Sequence, residues 1–235
     1  MAVVFEGLVY LDPQKTGSTY VEEVLIEVLG QEPVMRNRHG VINQHDPDLL
    51  HCISVRDPWA QYLSLYRYGV DRHGGVSKNL RQSGNGAVYD DFGTWLDVVL
   101  DPANTALVAG RWGSSGIAPL VGLQTFRYLR LAVSRPFARM ATMKTVEDVR
   151  AQHAEHKMWD VALRTESLAE DVVGMLDAHR DRLGITMSRD EIEAVAKAHA
   201  GANASKSGRV GMDAEHRARI AEREWLLLEE FGYQV

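Results

Sequence analysis

Apolar and polar positions divide the chain into short buried runs and longer amphipathic stretches. Leu8-Val9-Tyr10-Leu11 is opened by Gly7 and stopped by Asp12-Pro13. A short continuous apolar run between turn residues reads as a buried strand. From Thr19 the period changes. Val21, Val24, Leu25 and Val28 recur at helical spacing up to Gly30, which suits a helix stop. Leu50-His51-Cys52-Ile53-Ser54-Val55 reads as a second buried strand. It ends at Arg56-Asp57-Pro58, and Pro58 suits the first turn of a helix beginning near Trp59.

Further helices are expected over about 91–101 and 119–131. Thr142-Met143-Lys144 reads as a short strand, followed by a helix with Thr145 as cap and Asp148 three residues on. Trp159 to Leu163 is another strand. Ser167 with Glu170 and Ser188 with Glu191 make two capping-box patterns, the first opening a helix to about Leu183. A last helix is expected from about Asp213 to Phe231. Residues 70–90, with five glycines in and beside them, read as a mobile functional loop, and 201–212 as a second loop. Strands alternating with helices predict an α/β fold. The expectation is a single domain over 1–235, with a central parallel β-sheet and helices on both faces.

Composition narrows the function classes. Of 235 residues, 45% are hydrophobic and 25% charged, which supports a sizeable core and argues against disorder. Cys52 is the single cysteine, so neither an intrachain disulfide nor a cysteine-based zinc site is expected. The net charge of −6 argues against broad electrostatic binding of nucleic acid. No apolar run approaches the ~18 to 20 residues of a membrane-spanning helix. Residues 1–7 lack the basic region and long apolar stretch of a signal peptide. A soluble cytoplasmic protein is expected.

Six of the 26 basic residues are lysines, so a lysine inside a motif stands out. Lys15-Thr16-Gly17-Ser18-Thr19 sits where a strand gives way to a helix. Free N–H groups at a helix start carry roughly +0.5 charge and favour an anion. Gly17 allows close backbone approach, Ser18 and Thr19 add hydroxyls, and Lys15 adds a full charge. A phosphate or sulfate fits, although an ordinary strand-to-helix turn would use the same hydroxyls as caps. The loop is not a Walker A motif, whose lysine follows the last glycine. Here Lys15 precedes Gly17 by two. At the second strand end, Arg56 leaves the carboxyl edge of the sheet, where open α/β sheets bind ligands. Ser64, two helical turns on, can join it around a second phosphate.

The segments DPQKTGSTYVEEVL and VRDPWAQYLSLYRY together resemble the sulfotransferase family, whose donor is 3′-phosphoadenosine 5′-phosphosulfate (PAPS). They are similar to its P-K-x-G-[ST]-[ST] loop and its later R-[DN]-P segment with serine and tyrosine. Arg38-His39 matches a basic-His pair between the loops. The stretch NASKSGR, ending in Arg209, resembles the family's polar nucleotide loop, and REWLLLEEFGY its final helix. The likeness concentrates in 8–30, 38–68 and 201–233, leaving 70–160 as a variable acceptor region. This chain has Gln14 where many members have proline.

The resemblance implies a P-loop-like nucleotide-binding architecture and transfer of a sulfuryl group to a hydroxyl of a small-molecule or carbohydrate acceptor, with no metal. It implies that Lys15 meets charge growing on the leaving nucleotide, assisted by Thr16, Gly17, Ser18 and Thr19. Arg56 and Ser64 would hold the 3′-phosphate, with Arg209 adding to the clamp. The general base is left between His39, His45 and a carboxylate. Arg164 and Glu166 read as supports. Trp95, Trp112, Phe126 and Tyr128 read as core or acceptor-stacking rings. A phosphoryl transferase using a nucleoside triphosphate is the alternative, weakened by the lysine position and by the lack of a clear acidic magnesium ligand.

Overall fold

The computed structural model describes residues 2–37, 40–200 and 213–234. In chain order it contains β1 (Ala2–Phe5), β2 (Leu8–Leu11), α1 (Ser18–Leu29), β3 (Met35–Asn37), β4 (Leu50–Val55), α2 (Pro58–Val70), α3 (Gly74–Gln82) and α4 (Phe92–Leu100). Then follow α5 (Thr105–Val108), α6 (Gly110–Gly113), α7 (Leu123–Ala132), α8 (Pro136–Met140), α9 (Val146–His156), β5 (Val161–Arg164) and α10 (Leu168–Ala178). The chain closes with α11 (Arg189–His199), α12 (Ala214–Arg223) and α13 (Trp225–Phe231). These elements fall into two compact units.

The first unit comprises Met1–Arg56, Leu131–Arg135 and His156–Lys206, as far as they are described. It holds a five-stranded sheet in the order β3-β1-β2-β4-β5. β2, β4 and β5 run parallel, with Leu8 opposite Leu50 and Cys52 opposite Val161. β1 is antiparallel to both β2 and β3. The sheet is therefore mixed, which corrects the all-parallel expectation. The cause is a two-residue turn at Glu6-Gly7, where Gly7 has φ 87°, folding Ala2–Phe5 back on Leu8–Leu11. β3 gave no apolar signal because its three residues are exposed. It is held at the edge by pairing with β1 and by Arg36 Nε donating to the buried Glu22 of α1 at 2.5 Å.

One face of the sheet presents Val3, Phe5, Leu8, Tyr10, Leu50, Cys52 and Leu163 to α1, α10 and α11. Val9, Leu11, His51, Ile53 and Val55 point the other way and are buried too. Burial on both faces is why β2 and β4 read as unbroken apolar runs. Val21, Val24, Leu25 and Val28 form the buried stripe of α1, and truncating fully buried Leu25 to Ala would cost roughly 2–5 kcal/mol. The Ser188–Glu191 capping box is present in both directions. The Ser167 pattern is not a box: its hydroxyl donates to Asp171, whose other oxygen accepts from Arg164 N at 2.6 Å.

The second unit comprises Asp57–Arg130, Pro136–Glu155 and Ser207–Val235, as far as they are described, and among those residues it is helical. Its core gathers Tyr62, Tyr66, Tyr89 and Phe92 around Trp95. Residues 70–90, expected to be a loop, instead form α3 and a 3-10 turn at Gly86–Asp90. Val76 and Leu80 are four apart and both buried, enough to anchor a short helix despite the flanking glycines. Gly69 leaves room for Tyr89, whose ring lies 2.3 Å from where a Cβ would be. Thr142-Met143-Lys144 is a turn rather than a strand, because Lys144 N and Thr145 N both donate to Asp148. The helix expected over 213–231 breaks at Glu224. That residue is wholly buried, and its carboxylate accepts from Gln124 N at 3.1 Å, Thr125 N at 2.7 Å and Tyr62 Oη at 2.5 Å. Capping α7 this way satisfies a charge that could not otherwise be buried.

Candidate functional site

Because β2, β4 and β5 are parallel, the segments leaving their carboxyl ends meet at one edge. Thr165, just past β5, joins them: its hydroxyl lies 2.8 Å from the Val55 carbonyl and 3.2 Å from the Thr16 carbonyl. Thr16 is buried beneath the loop. Its hydroxyl donates to the Pro13 carbonyl at 2.6 Å and lies 2.5 Å from Ser54 Oγ, which in turn lies 2.8 Å from Tyr10 Oη. Burial holds the Tyr10 phenol well above its ordinary value, so it stays a neutral hydrogen-bonding partner. This chain of hydroxyls bolts the loop to the sheet. The Thr16 side chain is therefore a fastener within the loop.

The bolted loop adopts an unusual backbone. Lys15 has φ 70° and Gly17 φ 86°. At Lys15 this costs about 1 kcal/mol, sustained by the hydrogen bonds around it. At Gly17 a Cβ would stand 2.4 Å from Leu168 Cδ2, so glycine is required twice over. Gly17 is the N-cap of α1, with no side-chain capping bond and no acidic residue in the first turn. Ser18 is half-buried and Thr19 exposed beside these first-turn N–H groups.

Two cations border this helix start. Lys15 is half-buried; burial first, and the Arg56 charge second, pull its ammonium below the usual lysine value. The Arg56 guanidinium donates to the Lys15 carbonyl through Nη1 at 3.2 Å, tying the end of β4 to the loop after β2. Like charges held together beside a helix N-terminus make an environment that an anion relieves.

The structure thus brings Lys15, Gly17, Ser18, Thr19 and Arg56 to one edge. Ser64 lies half-buried on α2, in the second unit. His39 and Arg209 lie outside the described residues. His45 does not belong to this edge. Its ring stacks on His51 at 4.3 Å, and its Nε2 lies 3.7 Å from Asp160. His51 is the second residue of β4 and Asp160 immediately precedes β5, so both mark the amino ends of the strands. From His51 to Arg56 is five residues, about 16 Å at some 3.3 Å per residue. This placement corrects the expectation that His45 serves as base beside Lys15.

Thr165, Ser54 and Tyr10 escaped the sequence reading. The one available signal is a hydroxyl residue directly after a strand, between Arg164 and Glu166, both exposed. Trp95, Trp112, Phe126 and Tyr128 are all core. Among the described residues no group of three or more His, Cys, Asp or Glu is arranged to hold a metal, and no helix is long and apolar enough to cross a membrane. No family model, no curated protein and no solved structure matches this chain.

Proposed function

We propose that the chain is a PAPS-dependent sulfotransferase whose donor site is the carboxyl edge of β2, β4 and β5, a P-loop-like arrangement. The observation that supports this best is Lys15 and Arg56 held together beside the uncapped start of α1. In the proposed reaction the bond from sulfur to the bridging phosphate oxygen breaks as a bond from sulfur to the acceptor hydroxyl oxygen forms. The leaving 3′,5′-adenosine bisphosphate gains negative charge, which Lys15 and the N–H groups after Gly17 stabilise. Arg56 holds the 3′-phosphate and fixes the donor's register. The acceptor, a small-molecule or carbohydrate hydroxyl, gives its proton to a base. With His45 at the opposite edge, this reading assigns the base to His39, from the Arg38-His39 pair that resembles the family's.

Nucleotide preference tests the proposal. Calorimetry should show 3′,5′-adenosine bisphosphate binding about tenfold to a hundredfold tighter than 5′-AMP, the worth of a charge-assisted phosphate contact of roughly 1.5–3 kcal/mol. Equal affinities would remove the 3′-phosphate role from Arg56. Preference for ATP with magnesium would turn the reading toward phosphoryl transfer.

A further inference from the structure

Residues 41–49 link β3 to β4 within the first unit, and none of them is buried. Apolar burial therefore does little to hold this segment. Its attachments are polar. Arg135 N donates to the Asn43 carbonyl at 3.0 Å, the Arg182 guanidinium to the Pro47 carbonyl at 3.0 Å, and Asp46 N to His51 Nε2 at 3.3 Å. The His45 ring stacks on that same His51. One imidazole at the amino end of β4 thus receives the segment twice.

A backbone N–H only donates, so the Asp46 bond fixes the state of the His51 ring. Nε2 must present its lone pair, and the neutral imidazole keeps its proton on Nδ1. Nδ1 is buried and has no hydrogen-bond partner among the described residues. The residue itself is held fast: it is 1% exposed, its N donates to the Asp160 carboxylate, and its carbonyl accepts from Asp160 N, both at 2.8 Å. A second proton can enter the ring only at Nε2. There it turns the acceptor into a donor facing the Asp46 N–H, and it leaves a cation beneath the His45 ring. Burial first and the His45 charge second oppose that proton, outweighing Asp160 and Asp46, which favour it. Detaching the segment opens Nε2 to water and parts the two rings. The proton and the docked segment therefore exclude one another.

We propose that His51 is a proton-operated latch: neutral, it docks residues 41–49 through Asp46 and His45, and protonated at Nε2 it releases them while β4 stays in the sheet. The latch lies at the amino ends of the strands and does not depend on the donor-site reading at Lys15.

Two measurements on the full chain test it. Nitrogen NMR at about pH 7.5 should find the His51 proton on Nδ1. Amide exchange, corrected for intrinsic rates, should show protection of the Asp46 amide falling at least about threefold as His51 takes up its proton between about pH 7.5 and pH 5. The Ile53 amide, inside β4, should keep its protection over the same range. His51→Gln offers a carbonyl that accepts from Asp46 N without titrating, so protection should persist and lose its pH dependence. His45→Phe keeps a stacked ring without the charge and should shrink that dependence. Were His51→Gln not to fold, the two wild-type measurements still decide. Four results would each overturn the proposal: a proton on Nε2 at about pH 7.5, Asp46 protection that ignores pH, Ile53 protection falling in step with that of Asp46, or an undiminished pH dependence in folded His51→Gln.

Discussion

The two ends of β4 carry opposite chemistry five residues apart, at His51 and Arg56. At its carboxyl end Arg56 joins Lys15 beside a helix start that offers N–H groups and no acid. At its amino end His51 N donates to Asp160 at 2.8 Å, Asp160 N donates back to the His51 carbonyl at 2.8 Å, and His45 stacks above. The first cluster sets two cations side by side at a helix start. The second sets the His45 and His51 rings beside the Asp160 carboxylate, with His51 Nδ1 buried and without a hydrogen-bond partner among the described residues. Clusters of polar residues at strand ends are therefore not equivalent: a carboxylate stands beside the two rings at one end, and two cations meet at the other.

The largest contrast comes from the two histidines. If the base acts at the cationic edge, His39→Ala should lower turnover by ~10²–10⁴-fold with donor affinity unchanged, while His45→Ala should leave turnover near wild type. A damaging His45→Ala with intact stability would erase the distinction between the edges. Full activity in both variants would turn the search to a carboxylate at the cationic edge, with Glu166→Gln first.

Lys15→Ala should cost on the order of 10²–10³ in sulfate-transfer turnover, as for loss of a charge-stabilising donor, with the unfolding temperature preserved. Near-normal turnover would make the loop structural. Gly17→Ala should destabilise by about 1–3 kcal/mol in urea unfolding, through its positive φ and the Leu168 contact. The same loss should appear with or without nucleotide-site charge, so Lys15→Ala and Gly17→Ala should separate function from fold.

Titration sharpens the comparison with smaller effects of defined sign. The Lys15 ammonium deprotonates below the ordinary 10.5, so affinity for 3′,5′-adenosine bisphosphate should fall as pH rises toward that value. Lys15→Arg, which keeps its charge, should flatten that limb. At the other edge, burial and then His45 lower the His51 imidazole from 6.5. Between the lowered value and 6.5 the unfolded chain binds more protons than the folded one. Stability is thus complete above 6.5 and declines as the pH falls through this window. Denaturant midpoints across pH 4–8 should show this decline, and His51→Asn should lessen it.

Much of the cationic edge is legible in the sequence alone. β2 and β4 are buried on both faces and announce themselves as apolar runs, and α1 carries its period in Val21, Val24, Leu25 and Val28. The glycine and lysine of the loop were visible because the conformation they serve is local. The β1–β2 hairpin carries little sequence signal, because Ala2–Phe5 is only four residues long. α3 carries a weak signal, because only Val76 and Leu80 mark its buried side among flanking glycines.

Local sequence determined which residues could bind an anion, since a strand stop, a glycine and a helix start within a dozen residues specify backbone dihedrals directly. It did not determine what stands next to what. Whether His45 reached Lys15 or the far end of β4, what Thr16 bonds to, and whether the last helix ran through Glu224 or broke to cap α7 all depended on partners 38 to 115 residues distant in the chain. Only the packed sheet and helix core decide those, because a polar side chain is committed by whichever partner burial brings within hydrogen-bond reach.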